Sequence, residues 1–235
     1  MSRTITTVAV LAAAALAVPA ASAAPPVVGG AAPLIAKSAP TGLPDPNDAQ
    51  FRVPAGMVEH RVWTRTVTGR NAVPANERHE LWLSATRSRV VVTDAKTKAL
   101  LREVTTSPTE TRVYDAETGK LRVTRHSAER PPHQSATYEQ ALHRAYVTGG
   151  FMEITGERTV AGRRHLVLVS VPGKWRSDEP DSRTTAVVDA ETFAPHQLTS
   201  SVPDLFTQQV THRVVERLST GKAVNAKLKM RKHRR

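Results

Sequence analysis

Asp94, Asp115 and Asp189 are carboxylates whose setting repeats, in Val-Thr-Asp94-Ala-Lys-Thr, Val-Tyr-Asp115-Ala-Glu-Thr-Gly and Val-Val-Asp189-Ala-Glu-Thr. With Glu117 and Glu191 beside them, they are the residue types that acid–base chemistry would use. That chemistry needs two carboxylates facing one substrate. Three separated copies of one phrase read instead as turn formers, because each ends a β-rich run and Asp can bond the backbone two residues on. In the second copy Gly119 supplies the positive φ of a bulged hairpin loop. The nine His residues form no His-x-His or His-Glu-x-x-His ligand set. No Gly-x-Ser-x-Gly elbow marks a nucleophilic serine. No enzyme, no metal and no cofactor is expected.

The remaining candidates are binding residues. Trp63 and Trp82 fall on neighbouring expected strands, and Tyr138, Leu142 and Tyr146 on an expected helix. Core is the ordinary place for such side chains; on a concave face they would line an apolar pocket. With aromatics at only 4% of the chain, such a pocket must be walled mostly by Val, Leu and Ala. A second candidate is the basic tail of Lys222, Lys227, Lys229, Arg231, Lys232, Arg234 and Arg235. It contains no acid and supplies seven of the twelve net positive charges. Nucleic acid is not expected as its partner, since no aromatic in the tail can stack on a base. An anionic membrane or cell-wall polymer suits it better, at roughly 1 kcal/mol per cation near an anionic leaflet, and a solvated tail is the plain alternative.

Residues 1–23 read as an export leader, with Arg3 before the apolar run Val8–Val18 and the small-residue box Ala21-Ser22-Ala23. That run is too short for the ~20 residues of a spanning helix. Cleavage before Ala24 and a place in the extracytoplasmic cell envelope are therefore expected, and with no Cys there is no disulfide. Residues 24–50 hold six prolines and read as an extended, disordered tether. The folded domain is expected over 51–219, followed by a disordered basic tail over 220–235. A monomer is expected.

Alternation of apolar and polar residues predicts about ten strands, including Val58–Val67, Arg78–Ser84, Arg89–Thr93, Leu100–Thr106, Thr111–Tyr114 and Lys120–His126, the last with Leu121 and Val123 inward. Two hairpins follow, Glu153–Val160 with Arg164–Val171 and Thr184–Val188 with Gln197–Ser200, then a last strand Gln208–Leu218. One helix, Thr137–Thr148, interrupts the meander. Thr137 and Gln140 make a capping box, Tyr138, Ala141, Leu142 and Ala145 an apolar stripe, and Gly149-Gly150 a left-handed end.

The meander, the midchain helix, Gly-Glu-Arg-Thr-Val-Ala-Gly-Arg and Val-Asp-Ala-Glu-Thr-x-x-Pro together resemble the LolA-like superfamily of exported proteins. The likeness is best over Phe151–Ser200, through Gly156, Gly162, the strand Leu166–Val171, Asp189 and Pro195. It implies a curved antiparallel half-barrel closed by the midchain helix. It also implies a carrier or sensor of an acyl chain or lipid, as in lipoprotein carriers and mycobacterial lipid-carrying lipoproteins. The superfamily's anti-sigma regulator branch implies an alternative, a protein-interaction module of the envelope. A structural envelope protein held by its tail is a third possibility. The N-terminal helix of these families has no counterpart among Pro44, Pro46 and Pro54, and their lipid-anchor Cys is absent.

Overall fold

The computed structural model describes residues 35–36, 42–70, 72–126, 134–176, 182–203 and 205–232. The expected leader, most of the tether, and Arg234 and Arg235 lie outside them. The strands are β1 (Ile35–Ala36), β2 (Met57–Thr68), β3 (Ala75–Leu83), β4 (Ser88–Asp94), β5 (Leu100–Thr106), β6 (Glu110–Asp115) and β7 (Lys120–Arg125). Helix α1 (Ala136–Thr148) follows, then β8 (Met152–Val160), β9 (Arg163–Ser170), β10 (Trp175–Arg176), β11 (Arg183–Asp189), β12 (Pro195–Val202), β13 (Phe206–Ser219) and helix α2 (Lys222–Lys227).

Eleven strands form one sheet in the order β7-β6-β5-β4-β3-β2-β13-β12-β11-β9-β8, and β1 pairs antiparallel with β10. The ladders from β3 to β7 and through β8, β9, β11 and β12 are antiparallel. Among the described residues the fold is mainly β, an open antiparallel sheet with two α-helices rather than a closed barrel. The chain forms two compact units, one containing Thr66–Ala75 and Glu139–Val210, the other Asp45–Arg65, Asn76–Tyr138 and the chain from Thr211. Leu168, Ala186, Val187 and Val188 are buried in the first; Val58, Leu81, Leu83 and Val90 are buried in the second.

The repeated Asp phrase builds the same turn three times. Asp189 Oδ1 accepts from the Glu191 and Thr192 N–H groups at 3.1 and 2.9 Å and from Thr192 Oγ1 at 2.9 Å. Asp94 Oδ1 accepts likewise from Lys96, Thr97 and Thr97 Oγ1, and Asp115 Oδ1 from Thr118 N–H and Oγ1. These bonds to the ionised form hold all three carboxyls below their ordinary value. Four residues after each Asp the backbone turns left-handed, at Lys98 (φ 64°), Gly119 (φ 65°) and Phe193 (φ 61°). Only Gly119 adopts it without a Cβ penalty; at Phe193 the Arg144 guanidinium lies 5.2 Å over the ring. Replacing Asp189 by Ala should therefore cost on the order of 1 kcal/mol, read from the shift of a denaturation midpoint, with binding activity unaffected.

Three expectations are corrected. Helix α1 starts at Ala136 rather than after a Thr137 cap, because the Ala136 N–H donates to Glu59 Oε1 at 2.9 Å. Thr137 instead accepts from Arg217 Nη2 at 2.7 Å. Leu121 and Val123 are exposed, not inward, because β7 ends the sheet and alternation does not say whether a face is covered. The basic tail is ordered as far as it is described: α2 forms, and Leu228 is buried against Val58 and Trp82. Leu228, with Val224 packed against the same cluster, gives the segment something to bury. The end of α1 follows its Gly-Gly pair as expected, with Gly150 left-handed at φ 68°.

Candidate functional site

Successive residues of a strand point to opposite faces, and this divides the expected site residues. On one face of β2 and β3, Trp63 stacks on His79 with centroids 5.1 Å apart and on His212 at 6.4 Å. Beside it Arg65 Nη1 and His79 Nε2 lie 3.0 and 2.9 Å from Glu77 Oε2. Burial pushes the Glu77 carboxyl up, but the His79 bond and charge and the Arg65 guanidinium outweigh it and hold it at about 2. The same face carries Glu59 and Arg61, with relative exposures of 0% and 3% and an Nε–Oε1 distance of 2.9 Å. They hold the first turn of α1: Glu59 accepts the Ala136 N–H, and Arg61 Nη2 donates to the Gln134 carbonyl. Tyr138, in that turn, meets Phe51 edge to face at 5.5 Å.

The opposite face carries Trp82. Its ring stacks on His60 at 3.9 Å, its Nε1 donates to Glu80 Oε1 at 3.1 Å, and Lys227 Nζ lies 5.7 Å over the ring. Arg89 is the register partner of Trp82 and donates from Nε to Glu103 Oε1 at 2.7 Å. This buried pair grips the main chain of the C-terminal segment. Arg89 Nη1 donates to the Lys227 carbonyl at 3.1 Å, and Glu103 accepts the Arg231 N–H at 3.0 Å. Trp63 and Trp82 thus lie on opposite faces, and no single surface of this unit carries both rings.

Leu142 and Tyr146 belong to the other unit, Leu142 buried and Tyr146 half-buried. Next to Leu142, His143 is buried and its Nδ1 donates to the Glu139 carbonyl at 2.8 Å; desolvation lowers its pKa and keeps the ring neutral. Of the tail cations, Lys222, Lys227, Lys229, Arg231 and Lys232 are exposed.

Sequence reasoning missed Glu59, Arg61, Arg89 and Glu103. The signal that could have found them is a charge at inward-parity positions of strands otherwise rich in Val and Leu. It also missed the far end of the sheet. On the Trp82 face, the register runs from Glu103 to Tyr114 to Leu121 and from Arg112 to Val123. Leu101, Leu121 and Val123 are there 39%, 53% and 47% exposed, beside a half-buried Tyr114. Among the described residues, no group of three His, Cys, Asp or Glu is placed to hold a metal ion, and no helix is long and apolar enough to cross a membrane.

No protein-family model and no curated protein matches the sequence. Similar solved structures include a LolA superfamily protein. That protein, from Nitrosomonas europaea, is 9% identical over 74% of this chain and 92% of its own, with a TM-score of 0.30. The Mycobacterium tuberculosis lipoprotein LppX is 9% identical over 66% of this chain and 84% of its own, with a TM-score of 0.34. The MucA/MucB complex of Pseudomonas aeruginosa matches at 15% identity and a TM-score of 0.42, over 71% of this chain; this chain spans 54% of that one.

Proposed function

We propose that this protein is an exported, non-enzymatic binding module of the cell envelope that takes a protein partner on the open β5–β7 end of its sheet. The observation that carries this reading is the exposed apolar strip of Leu101, Leu121 and Val123 beside Tyr114. Contiguous exposed apolar surface of this kind marks interaction sites in soluble proteins. The repeated carboxylates are engaged in their own turns, so they support a structural role rather than catalysis. The exposed Lys222, Lys229 and Lys232 add a weak attachment to anionic lipid or wall polymer, roughly 1 kcal/mol for each cation near the surface.

Carriage of an acyl chain or lipid is the second reading. The half-buried Tyr146 beside Leu142 on α1 favours it. It ranks lower because Trp63, Trp82 and Tyr138 already contact the protein's own His79, His60, Lys227 and Phe51. A saturable change in tryptophan fluorescence on adding long-chain fatty acid would reverse the order.

The test of the first reading is photo-crosslinking in intact cells, with the reactive residue placed at Val123. A discrete adduct is expected that disappears in the Leu121→Asp background and does not form from Glu191 in the other unit. Equal labelling from both positions would remove the β5–β7 end as the site.

A further inference from the structure

The outer edge of β7 has a polarity of its own. The His126 N–H donates to the Thr109 carbonyl at 2.8 Å, so these register partners form a hydrogen-bonded pair of the β6–β7 ladder. In an antiparallel ladder, hydrogen-bonded and non-hydrogen-bonded pairs alternate. The backbone groups of Thr124, Arg122 and Lys120 therefore turn toward β6. Those of Arg125, Val123 and Leu121 turn outward, and among the described residues no strand pairs with them. All six residues of β7 are exposed.

The side chains divide the same way. Leu121 and Val123 lie on the Trp82 face, next to Tyr114 and Arg112 of β6, while Lys120 and Arg122 lie on the other. β7 carries three cations, Lys120, Arg122 and Arg125, and no acid. The acids nearest in register are already engaged: Glu110 accepts from Arg112 Nε at 2.7 Å, and Asp115 from Thr118. Arg122 faces Val113. The docked tail adds to the same sign, because the Arg231 N–H is bonded to Glu103, which pairs with Tyr114, which pairs with Leu121.

We propose that β7 is a strand-addition edge that takes an extended segment of a partner protein in which apolar residues alternate with acidic ones. The partner's main chain pairs with the outward N–H and C=O groups of Leu121, Val123 and Arg125. Alternate side chains of an added strand fall on opposite faces, so its apolar residues extend the Leu121–Val123 strip and its carboxylates meet Lys120 and Arg122. β8, at the other end of the sheet order, carries Glu153 and Glu157 beside Arg158, with Arg164 Nη1 3.6 Å from Glu157, and so lacks the acid-free cationic character of β7. This inference rests on the reading that the β5–β7 end binds protein, and adds how.

The probe is a fluorescein-labelled synthetic peptide of alternating Glu and Val, titrated into the mature full-length protein at low and moderate salt. Saturable anisotropy is expected, weakening with salt. Affinity should be at least tenfold lower for a Lys–Val alternating peptide and for one of identical composition with its Glu and Val residues in separate blocks. Amide exchange at Leu121, Val123 and Arg125 should slow on binding. Val123→Pro removes an outward N–H that no strand pair among the described residues uses and should lower affinity at least tenfold, as should Arg122→Glu, which leaves every backbone donor in place. Circular dichroism checks that both variants fold, and if the proline variant does not, Arg122→Glu and the exchange data decide.

Equal binding of alternating and block peptides, or no slowing of exchange at the edge, overturns strand addition. If the crosslink from Val123 then survives, the strip binds protein by its side chains alone and the functional reading stands. If the crosslink is absent as well, both fall. A dimer of the protein alone that Val123→Pro disperses would make a second copy the occupant and overturn the assignment to a separate partner.

Discussion

Replacing Glu59 by Ala should destabilise the protein by about 3–5 kcal/mol, the range for removing one partner of a buried ion pair. The carboxylate is fully buried and serves three groups at once. It accepts the Ala136 N–H at 2.9 Å, lies 2.9 Å from Arg61 Nε, and lies 3.6 Å from Arg217 Nε. Alanine would leave the Arg61 guanidinium, itself only 3% exposed, without its carboxylate in a site closed to water. It would also remove the acceptor of the Ala136 N–H at the start of α1, where the preceding Ser135 already donates its hydroxyl to the Phe51 carbonyl. Glu59→Gln keeps an acceptor for that N–H and loses only the charge, so its cost should fall between wild type and Glu59→Ala. Urea unfolding measures both variants. A loss below ~1 kcal/mol for Glu59→Ala would show that the pair is not what holds the first turn.

What the sequence made legible was local. Each Asp turn is written within five residues, and all three are built alike because Asp and Thr bond the backbone they sit on. The end of α1 is legible for the same reason, since Gly150 needs no distant partner to adopt its left-handed φ. Its start was misplaced because the cap comes from Glu59, 77 residues away, while Thr137 offered a plausible local one. Alternation located the strands of the sheet but not their surroundings. Leu121 and Val123 have the pattern of inward residues and lie on a strand at the end of the sheet. Trp63 and Trp82 lie on adjacent strands, yet opposite parity separates them by the whole thickness of the sheet. The LolA-like resemblance rests on turn phrases, and turn phrases specify hairpins without specifying a ligand.

Truncation after Thr220 should also cost several kcal/mol and change the fluorescence of Trp82. Composition presents residues 222–232 as a run of cations, and a cationic run is ordinarily solvated. The segment is instead fixed to the Trp82 face by Leu228, which is 9% exposed and packs with Val58 and Trp82. Two bonds to its main chain, from Arg89 to the Lys227 carbonyl and from the Arg231 N–H to Glu103, hold it on either side of that leucine. Loss of a buried leucine costs about 2–5 kcal/mol. Each bond adds about 1.5–3 kcal/mol when one member is charged, offset in part by the freedom the released segment regains. Leu228→Ala isolates the apolar part and should account for about 2 kcal/mol or more. Trp82 would lose both Leu228 and the Lys227 ammonium above its ring, so its emission should shift to longer wavelength and acrylamide should quench it more readily. Trp63 stacks on His79 and His212 on the opposite face and should not respond, and a background with both Trp63→Phe and Trp175→Phe leaves Trp82 as the single tryptophan and assigns the change. Unchanged stability and unchanged emission on truncation would show that the segment is solvated after all. The exposed lysines alone would then account for any adhesion to anionic surfaces.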